Sequence, residues 1–325
     1  MPHAVEPPTV DPTKSFRDWR DDLFRDGYVV IKNVIPQERC DYYIDKMFEW
    51  AGRFPWGFDR NDRSTWTDEH LPTHIKGGMY HGYRVQHERF MWEARTEPGV
   101  IEAFTKLWGT DKLLASFDGM NFTLPSGTPL EPTQPWPHVD QNPKRTGMQC
   151  VQGIINLAPN GPDDGGLLVM QGSTKIMEEF FKTHQGVIGR ATWGSSDWFG
   201  FDEEEVKWFE DRGCKILKVC AEPGSIILWD SRTMHYNCVP KTQNLRAVIY
   251  ACYTPSSFAS PEVLKEKARF FDERMGTTHW PHDNLFPNVE KKPRLGLPDD
   301  QERDRPFEEP EETELVLKLA GKLPY

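Results

Sequence analysis

The sequence predicts a mainly β protein in which short strands form a sandwich or barrel and helices lie on the flanks. Three observations favour this fold class: β-branched and aromatic runs in the middle, turns of Pro, Gly, Asn and Asp between them, and helical periodicity on either side. The predicted strands cover residues 28–31, 112–125, 149–157, 165–173, 215–220, 225–230 and 246–254. Many short strands separated by such turns are typical of antiparallel sandwiches and barrels.

The flanking helices are predicted from apolar spacing and from start and stop residues. Residues 15–26 carry aromatic and aliphatic side chains at helical spacing up to a stop at Gly27. Pro36 opens a second predicted helix, and a third covers 97–109 between a Pro and a closing Gly. Residues 52–95 show no clear period, so we expect a long ordered loop region there.

No repeat and no linker divides the chain, so we expect one domain over residues 1–325. Its parts are a mobile lead (1–14), a helical and loop-rich support (15–111), the strand core (112–255), and a C-terminal helix with a polar tail (256–325). A helical insertion over about 174–213 interrupts the core. The Pro-rich tail has the composition of a partly disordered segment. Its leucines at 315–323 predict a short helix that caps its own domain or pairs with a second subunit, so a homodimer stays open.

Composition and charge favour a small-molecule partner. The formal net charge is −11 and no run of Lys and Arg occurs, which argues against nucleic acid and against an anionic membrane surface. No stretch approaches the roughly 20 apolar residues of a membrane span, and the first residues lack the layout of a secretory signal. We therefore expect a cytoplasmic protein whose six cysteines are reduced.

The segment WPHVDQNP sets His138 and Asp140 two positions apart. Side chains at positions i and i+2 of a strand project to one face, so the imidazole and the carboxylate should lie together. His235, at the end of ILWDSRTMH, is the candidate third ligand. Two histidines and one carboxylate with open coordination positions are the ligand set of non-haem Fe(II) oxygenases, whereas a structural zinc site has four protein ligands. A surface turn is the competing interpretation of His-X-Asp alone.

Arg246, eleven residues after His235, is a candidate carboxylate-binding residue. Its planar guanidinium pairs with a carboxylate through two hydrogen bonds and stays charged. A metal-chelating acid with a second carboxylate several ångströms away would need such a cation. A surface arginine is the alternative, which is weakened because the apolar run AVIYACY follows directly and an unpaired charge there would be costly.

These motifs, in this order, resemble the phytanoyl-CoA dioxygenase-like family of Fe(II)/2-oxoglutarate-dependent oxygenases, in versions common in fungal specialised metabolism. The similar stretches are FRDGYVVIKNVIP, PGVIEAFTKLWG, HVD, PNGPDDGGLLVMQGST and GSIILWDSRTMH, followed by Arg246. The resemblance spans roughly residues 15–255 and implies a double-stranded β-helix core, the jelly roll or cupin-like fold. It also implies that His138, Asp140 and His235 bind Fe(II), with 2-oxoglutarate and O2 as co-substrates. Arg246 would then hold the distal carboxylate of 2-oxoglutarate.

The resemblance suggests further site residues around these ligands. Gln152 near the metal and Asn237 near 2-oxoglutarate are expected cofactor contacts. A buried amide at Gln152 could equally satisfy backbone groups, and the family often has a hydroxyl where this chain has Asn237. Apart from the resemblance, Asn121 and Asp118 in SFDGMNF and Tyr80 and His81 in GGMYHGYR are candidate substrate-lining residues, with packing or turn roles as the alternatives.

The expected activity is the oxidation of an unactivated C–H bond of a small molecule, for which a specialised metabolite is one candidate. Hydroxylation is the default outcome, while desaturation, cyclisation, epoxidation and endoperoxide formation use the same ligands. Asp140 argues against halogenation, because the related halogenases have a small residue there. Two alternatives remain: a metal-dependent cupin enzyme that does not use 2-oxoglutarate, and an inactive binding protein of the same fold. His279 and His282 predict a docking segment rather than a second metal site.

Overall fold

Two antiparallel β-sheets form the centre of the structure and helices lie on their flanks. The computed structural model describes residues 14–125, 134–145, 147–184, 197–288 and 292–325. The predicted fold class, mainly β with a jelly-roll core and flanking helices, is confirmed. The sheets do not close into a barrel, so the core is a double-sheet jelly roll.

The strands of the described residues pair in two large sheets and one small one. In chain order they are β1 (Tyr28–Ile31), β2 (Met79–Tyr80), β3 (Leu113–Ala115), β4 (Met120–Thr123), β5 (His138–Val139), β6 (Val151–Asn156), β7 (Gly166–Gln171), β8 (Phe199–Gly200), β9 (Lys215–Lys218), β10 (Ser225–Asp230), β11 (His235–Cys238), β12 (Arg246–Tyr250) and β13 (Tyr253–Pro255). The larger sheet has the order β1-β10-β6-β12-β4-β2, the smaller sheet the order β8-β5-β11-β7-β9, and β13 pairs with β3.

The helices begin and end largely where the sequence indicates. They are α1 (Trp19–Asp26), α2 (Gln37–Gly52), α3 (Arg89–Arg95), α4 (Pro98–Trp108), α5 (Ser173–Thr183), α6 (Glu203–Glu210), α7 (Pro261–Asp272) and α8 (Glu314–Leu319). Helix α1 ends at Gly27, whose φ of 85° is the left-handed conformation that terminates helices. Across the described ranges, none of these helices has the length and apolar character needed to cross a bilayer.

Helix α3 and strand β2 lie within residues 52–95, where the sequence predicted only a loop region. Neighbouring elements surround the helix, so most of its side chains are buried: Phe90, Met91, Trp92, Ala94 and Arg95. Arg89 alone is exposed and Glu93 is half-buried, so the polar face is too narrow to give a clear amphipathic period. This burial explains why the sequence pattern did not show α3.

The two large sheets pack face to face through apolar side chains. Ile154, Ile227 and Trp229 of the larger sheet form one buried cluster with Leu167 and Val169 of the smaller sheet. Every residue of β6 is buried, because the smaller sheet covers one face and the helices cover the other. The core therefore holds the two sheets in a fixed relation at the end where the candidate site lies.

The C-terminal tail is held against the rest of the chain. Glu88 accepts hydrogen bonds from the backbone N–H groups of Phe307 (2.7 Å) and Glu308 (2.9 Å). Helix α8 packs on β3, and the Tyr325 hydroxyl donates to the carbonyl of Leu113 (2.6 Å). The expected partial disorder is wrong for residues 292–325. Hydrogen-bond acceptors elsewhere in the fold bind the N–H and O–H groups of this tail. The predicted mobile lead, apart from Lys14, lies outside the described residues.

Glu88 makes the stability of the fold depend on pH. Burial raises the pKa of its carboxyl to about 7. Between about pH 4.5 and 7 the folded chain keeps a proton that the unfolded chain releases, so stability falls as pH rises through this window. We expect the free energy of unfolding of the unmodified protein to fall between pH 5 and pH 8 by up to about 3 kcal/mol more than that of Glu88→Gln, which has no carboxyl to titrate. Urea unfolding at each pH measures the difference. The exposed Glu102→Gln is the control, and an equal pH profile for both variants would contradict the assignment.

Gly153 on β6 allows a close approach of two backbone segments. A Cβ at this position would lie 2.3 Å from the carbonyl oxygen of Ala251. We expect Gly153→Ala to lower the free energy of unfolding by about 1–3 kcal/mol, since the core must shift to accept the methyl group. Gly52→Ala, at the end of α2 with nothing within 4 Å, should change it by less than about 1 kcal/mol. Equal losses in urea unfolding would show that the close approach is not the cause.

Candidate metal centre

Three side chains of the predicted ligand set meet at one end of the smaller sheet. His138 on β5 is the direct cross-strand partner of His235 on β11, and Asp140 lies just beyond the end of β5. Asp140 Oδ2 is 3.6 Å from His138 Nε2 and 3.1 Å from His235 Nε2. One ligand atom from each residue lies within 4.8 Å of the other two. In the part of the chain that the structure describes, this is the only such cluster of His, Cys, Asp or Glu.

Backbone carbonyls orient both imidazoles. His138 Nδ1 donates to the carbonyl of Trp136 (3.1 Å), and His235 Nδ1 donates to the carbonyl of Thr233 (2.8 Å). A carbonyl oxygen only accepts, so each Nδ1 carries a proton, and Nε2 is the nitrogen of each ring that faces Asp140 and is placed to bind a metal. Metal-bound histidines in proteins are commonly oriented by such a contact. The donor set therefore fits a metal ion.

The charge states of the ligands also suit a divalent cation. Burial by itself would raise the pKa of Asp140, but the neighbouring imidazoles of His138 and His235 hold the pKa of this carboxyl well below its usual value. Burial lowers the pKa of His235, and the adjacent His138 lowers it further. Near neutral pH, Asp140 is thus ionised and His235 is neutral, the forms that bind metal.

Neighbouring side chains hold the ligands from two directions. Gln152 on β6 of the larger sheet donates its amide to Asp140 Oδ2 (2.8 Å). The indole of Trp136 stacks on the imidazole of His138 with ring centroids 4.5 Å apart and planes 7° from parallel. These contacts restrict the rotamers of the ligands, as preorganised metal sites require.

A cavity of about 300 Å³, hereafter the metal cavity, opens beside the three ligands. Part of its lining is aromatic: Trp136, Trp198, Trp229, Tyr236 and Tyr250. Another part is polar: Lys76, His81, Asp118, Thr277, Thr278 and His279. Protein ligands thus occupy one side of the site and open space the other, which leaves coordination positions for further molecules.

A second cavity, of about 390 Å³, adjoins the metal cavity and is lined by Arg246 on β12. Four residues line both cavities: Lys76, Met79, Trp136 and Asn237. Arg246 Nε is buried without a hydrogen-bond partner, and none of the described carboxylates forms an ion pair with this guanidinium. The Arg246 side chain is half-buried, and a cation partly removed from water without a counter-ion is costly. The second cavity is therefore suited to an anion.

The family model for phytanoyl-CoA dioxygenase (PhyH) matches residues 23–246, which is more than half of the chain. The chain belongs to the phytanoyl-CoA dioxygenase family. "Ava biosynthesis cluster protein O" from Aspergillus versicolor is 46% identical over 273 residues, which cover 83% of this chain and 88% of that relative. Family membership and the His–Asp–His cluster support the expected cofactors, iron and 2-oxoglutarate.

Two solved structures share the fold of this family member. EctD from S. alaskensis with bound Fe superposes with a TM-score of 0.52 at 18% identity, covering 79% of this chain and 82% of EctD. GlcNAc Inducible Gene 2 (GIG2) from Candida albicans superposes with a TM-score of 0.57 at 14% identity, covering 96% of this chain and 81% of that one. At such identities the likeness shows the fold.

The structure distributes the remaining predicted residues of this phytanoyl-CoA dioxygenase family member over three places. Asn237, two residues after His235, lines both cavities, whereas Asn121 lines the second cavity. His81 lines the metal cavity. Tyr80 lines neither: its ring is fully buried against Trp50, with centroids 5.2 Å apart. Consecutive strand residues project to opposite faces, so Tyr80 belongs to the core and His81 to the cavity.

Some lining residues were missed by the sequence reasoning. Trp136 could have been found, since it precedes His138 by two positions and so shares its face. Lys76 and Trp198 lie in irregular segments, where no periodicity shows which way a side chain points. Only the folded chain brings them to the metal cavity.

His279 and His282 lie in different surroundings. His279 lines the metal cavity itself. His282 is buried behind it, with its Nδ1 3.0 Å from the hydroxyl of Thr254. Burial lowers the pKa of His282 to about 3, so it stays neutral as part of the core.

The contact between Gln152 and Asp140 generates a prediction about metal affinity. We expect Gln152→Ala to weaken Fe(II) or Co(II) binding by about 10–100-fold, because the carboxylate loses the amide that orients it. Anaerobic titration against a competing chelator measures the effect. The exposed Gln37→Ala is the control and should bind metal as the unmodified protein does. Unchanged affinity in Gln152→Ala would show that the amide does not support the ligand.

Proposed function

We propose that this chain is an Fe(II)- and 2-oxoglutarate-dependent dioxygenase that oxidises an unactivated C–H bond of a small molecule. The reaction would convert 2-oxoglutarate to succinate and CO2. One observation carries the proposal: the buried His138–Asp140–His235 cluster and the uncompensated Arg246 open onto adjoining cavities.

The three clustered side chains would hold the iron. Fe(II), when bound, supplies the sites at which 2-oxoglutarate and O2 coordinate and exchange electrons. His138 and His235 contribute neutral Nε2 donors, and Asp140 contributes the negative charge. Because all three lie on one side, the metal cavity faces the remaining coordination positions. An aspartate ligand also argues against halogenation, which needs a vacancy at that position.

Arg246 would hold the distal carboxylate of 2-oxoglutarate. It belongs to the larger sheet and the metal ligands belong to the smaller one, so a short dicarboxylate can bridge the two across the core. Burial raises the pKa of Tyr250, which keeps this hydroxyl, a hydrogen-bonding neighbour of Arg246, neutral. Asn237 lines both cavities and offers an amide along the path of the dicarboxylate.

The aromatic lining of the metal cavity suits a largely apolar substrate. Trp136, Trp229 and Tyr236 form walls that exclude water from the reacting C–H bond. The relative named for a biosynthesis cluster supports a specialised metabolite as the substrate class. Hydroxylation is the reaction we propose first; desaturation, cyclisation and epoxidation would use the same protein groups.

Two other functions remain as alternatives to be tested. A metal-dependent cupin enzyme that does not use 2-oxoglutarate would leave Arg246 without a role in its cavity. An inactive binding protein would have no need for a buried carboxylate between two oriented imidazoles. Arg246 and Asp140 thus favour the dioxygenase.

Arg246 provides the test of this function. Anaerobic protein with Fe(II) and 2-oxoglutarate should show the weak visible absorption of the chelate and form succinate when air is admitted. We expect Arg246→Ala to bind Fe(II) normally but to need about 100-fold more 2-oxoglutarate, since a buried charge-assisted pair is lost. The exposed Arg212→Ala serves as the control. No band and no succinate with the unmodified protein would refute the proposal.

A further inference from the structure

His81 and Asp118 form a polar pair in the wall of the metal cavity. His81 directly follows β2, and Asp118 lies between β3 and β4. His81 Nδ1 is 3.6 Å from Asp118 Oδ1, and both residues line the cavity. Neither belongs to the metal cluster or to the cavity around Arg246. The sequence predicted only that these residues could line the substrate pocket, and the proposed iron and 2-oxoglutarate sites do not use the pair.

The backbone of His81 is fixed by two side-chain amides. Its carbonyl accepts hydrogen bonds from Gln86 Nε2 and from Asn288 Nδ2, both at 2.7 Å. The carboxylate of Asp118 is fixed as well, because its Oδ1 accepts the N–H of Gly119 at 2.7 Å. The pair is therefore preorganised before any ligand enters.

A single buried cation supports both halves of this arrangement. The guanidinium of Arg95, which has no solvent exposure, donates to the carbonyl of Gln86 (2.6 Å) and to the carbonyl of Asp118. Burial lowers the pKa of Arg95 to about 10, which still leaves it charged at neutral pH. Hydrogen bonds from the buried guanidinium thus fix the two segments that carry His81 and Asp118, and they offset the cost of burying the charge.

The chemistry of the pair determines which ring nitrogen of His81 faces a ligand. A carboxylate only accepts, so a hydrogen bond formed when His81 Nδ1 and Asp118 Oδ1 move closer than their present 3.6 Å requires the proton on Nδ1. Burial lowers the pKa of His81, which favours the neutral ring. Nε2 then presents a lone pair, and the structure records no hydrogen bond to it among the described residues. The 3.6 Å separation is longer than a hydrogen bond, as is common in sites that tighten when a ligand binds.

We infer that His81, oriented by Asp118, is a substrate-binding residue that accepts a hydrogen bond from a hydroxyl or N–H group of the substrate. The substrate class is then a largely apolar small molecule that carries such a donor close to the C–H bond that is oxidised. This inference rests on the proposed function, because it takes the metal cavity as the substrate site.

The first test is the tautomer of His81. Nitrogen-15 NMR of the protein loaded with diamagnetic Zn(II) reports which ring nitrogen is protonated, and His81→Gln assigns the signal. We expect the Nδ1–H form near pH 7 and a mixed population in Asp118→Asn, whose amide can donate or accept. The exposed Asp163→Asn should leave the tautomer unchanged. A protonated Nε2 in the unmodified protein would overturn the inference.

The second test compares probes that differ only in the donor. Indole and 1-methylindole, and 2-naphthol and its methyl ether, are titrated into Zn(II)-loaded protein and followed by ligand-observed NMR. Indole and 2-naphthol should each bind at least about fivefold more tightly than their methylated partners. A methylated probe leaves His81 Nε2 without a hydrogen-bond donor. The preference should fall below about twofold in His81→Phe and persist in His81→Gln, which keeps an acceptor. Equal binding of both members, or no binding of the donor, would overturn the inference.

These tests fail independently of the test of the proposed function. Neither the tautomer nor the probe preference requires iron, 2-oxoglutarate or turnover. A correct tautomer and preference without the 2-oxoglutarate chelate would refute the dioxygenase and leave the binding role of His81. The chelate and succinate without the preference would refute only the role of His81.

Discussion

The pairing of β5 with β11 is the interaction on which the rest of the site depends. It sets His138 opposite His235, and the chain leaving β5 then brings Asp140 between the two imidazoles. Register is critical here, because a shift by one residue would turn each side chain to the other face of the sheet. Because the pairing is short, further contacts orient the imidazoles: backbone carbonyls accept from both rings, and the indole of Trp136 stacks on His138.

The two facing sheets carry different residues of the site. The smaller sheet carries the metal ligands, while the larger sheet carries Gln152 and Arg246. Packed sheets lie about 10 Å apart, a span that a small dicarboxylate can bridge with one end at the metal and the other at a guanidinium. The apolar cluster between the sheets keeps that spacing constant. Core packing therefore sets the distance between the His–Asp–His cluster and Arg246.

Segments outside the jelly roll support part of the wall of the metal cavity. Buried Arg95 and the amides of Gln86 and Asn288 place the loops that carry His81 and Asp118, and the C-terminal tail closes over Glu88. Arg95, Gln86 and Glu88 are buried polar groups, and hydrogen bonds with defined geometry offset their desolvation. The His–Asp–His cluster and Arg246 thus lie on or next to the sheets, whereas His81 and Asp118 lie in the segments between strands.

The sequence by itself determined the strand-rich class and most helix ends, and it predicted His138, Asp140, His235 and Arg246 as site residues. Those features follow from local rules: side-chain alternation, glycine stops, and the chemistry of ligand types. It did not show α3, most of whose side chains are buried, or the contacts of the tail, whose hydrogen-bond acceptors lie far away in the chain. Only the tertiary structure decided that Tyr80 packs in the core, that Gln152 reaches Asp140, and that Lys76, Trp198 and His279 line the metal cavity. The physical reason is that irregular segments have no period, so the direction of each side chain is set by contacts between residues distant in sequence.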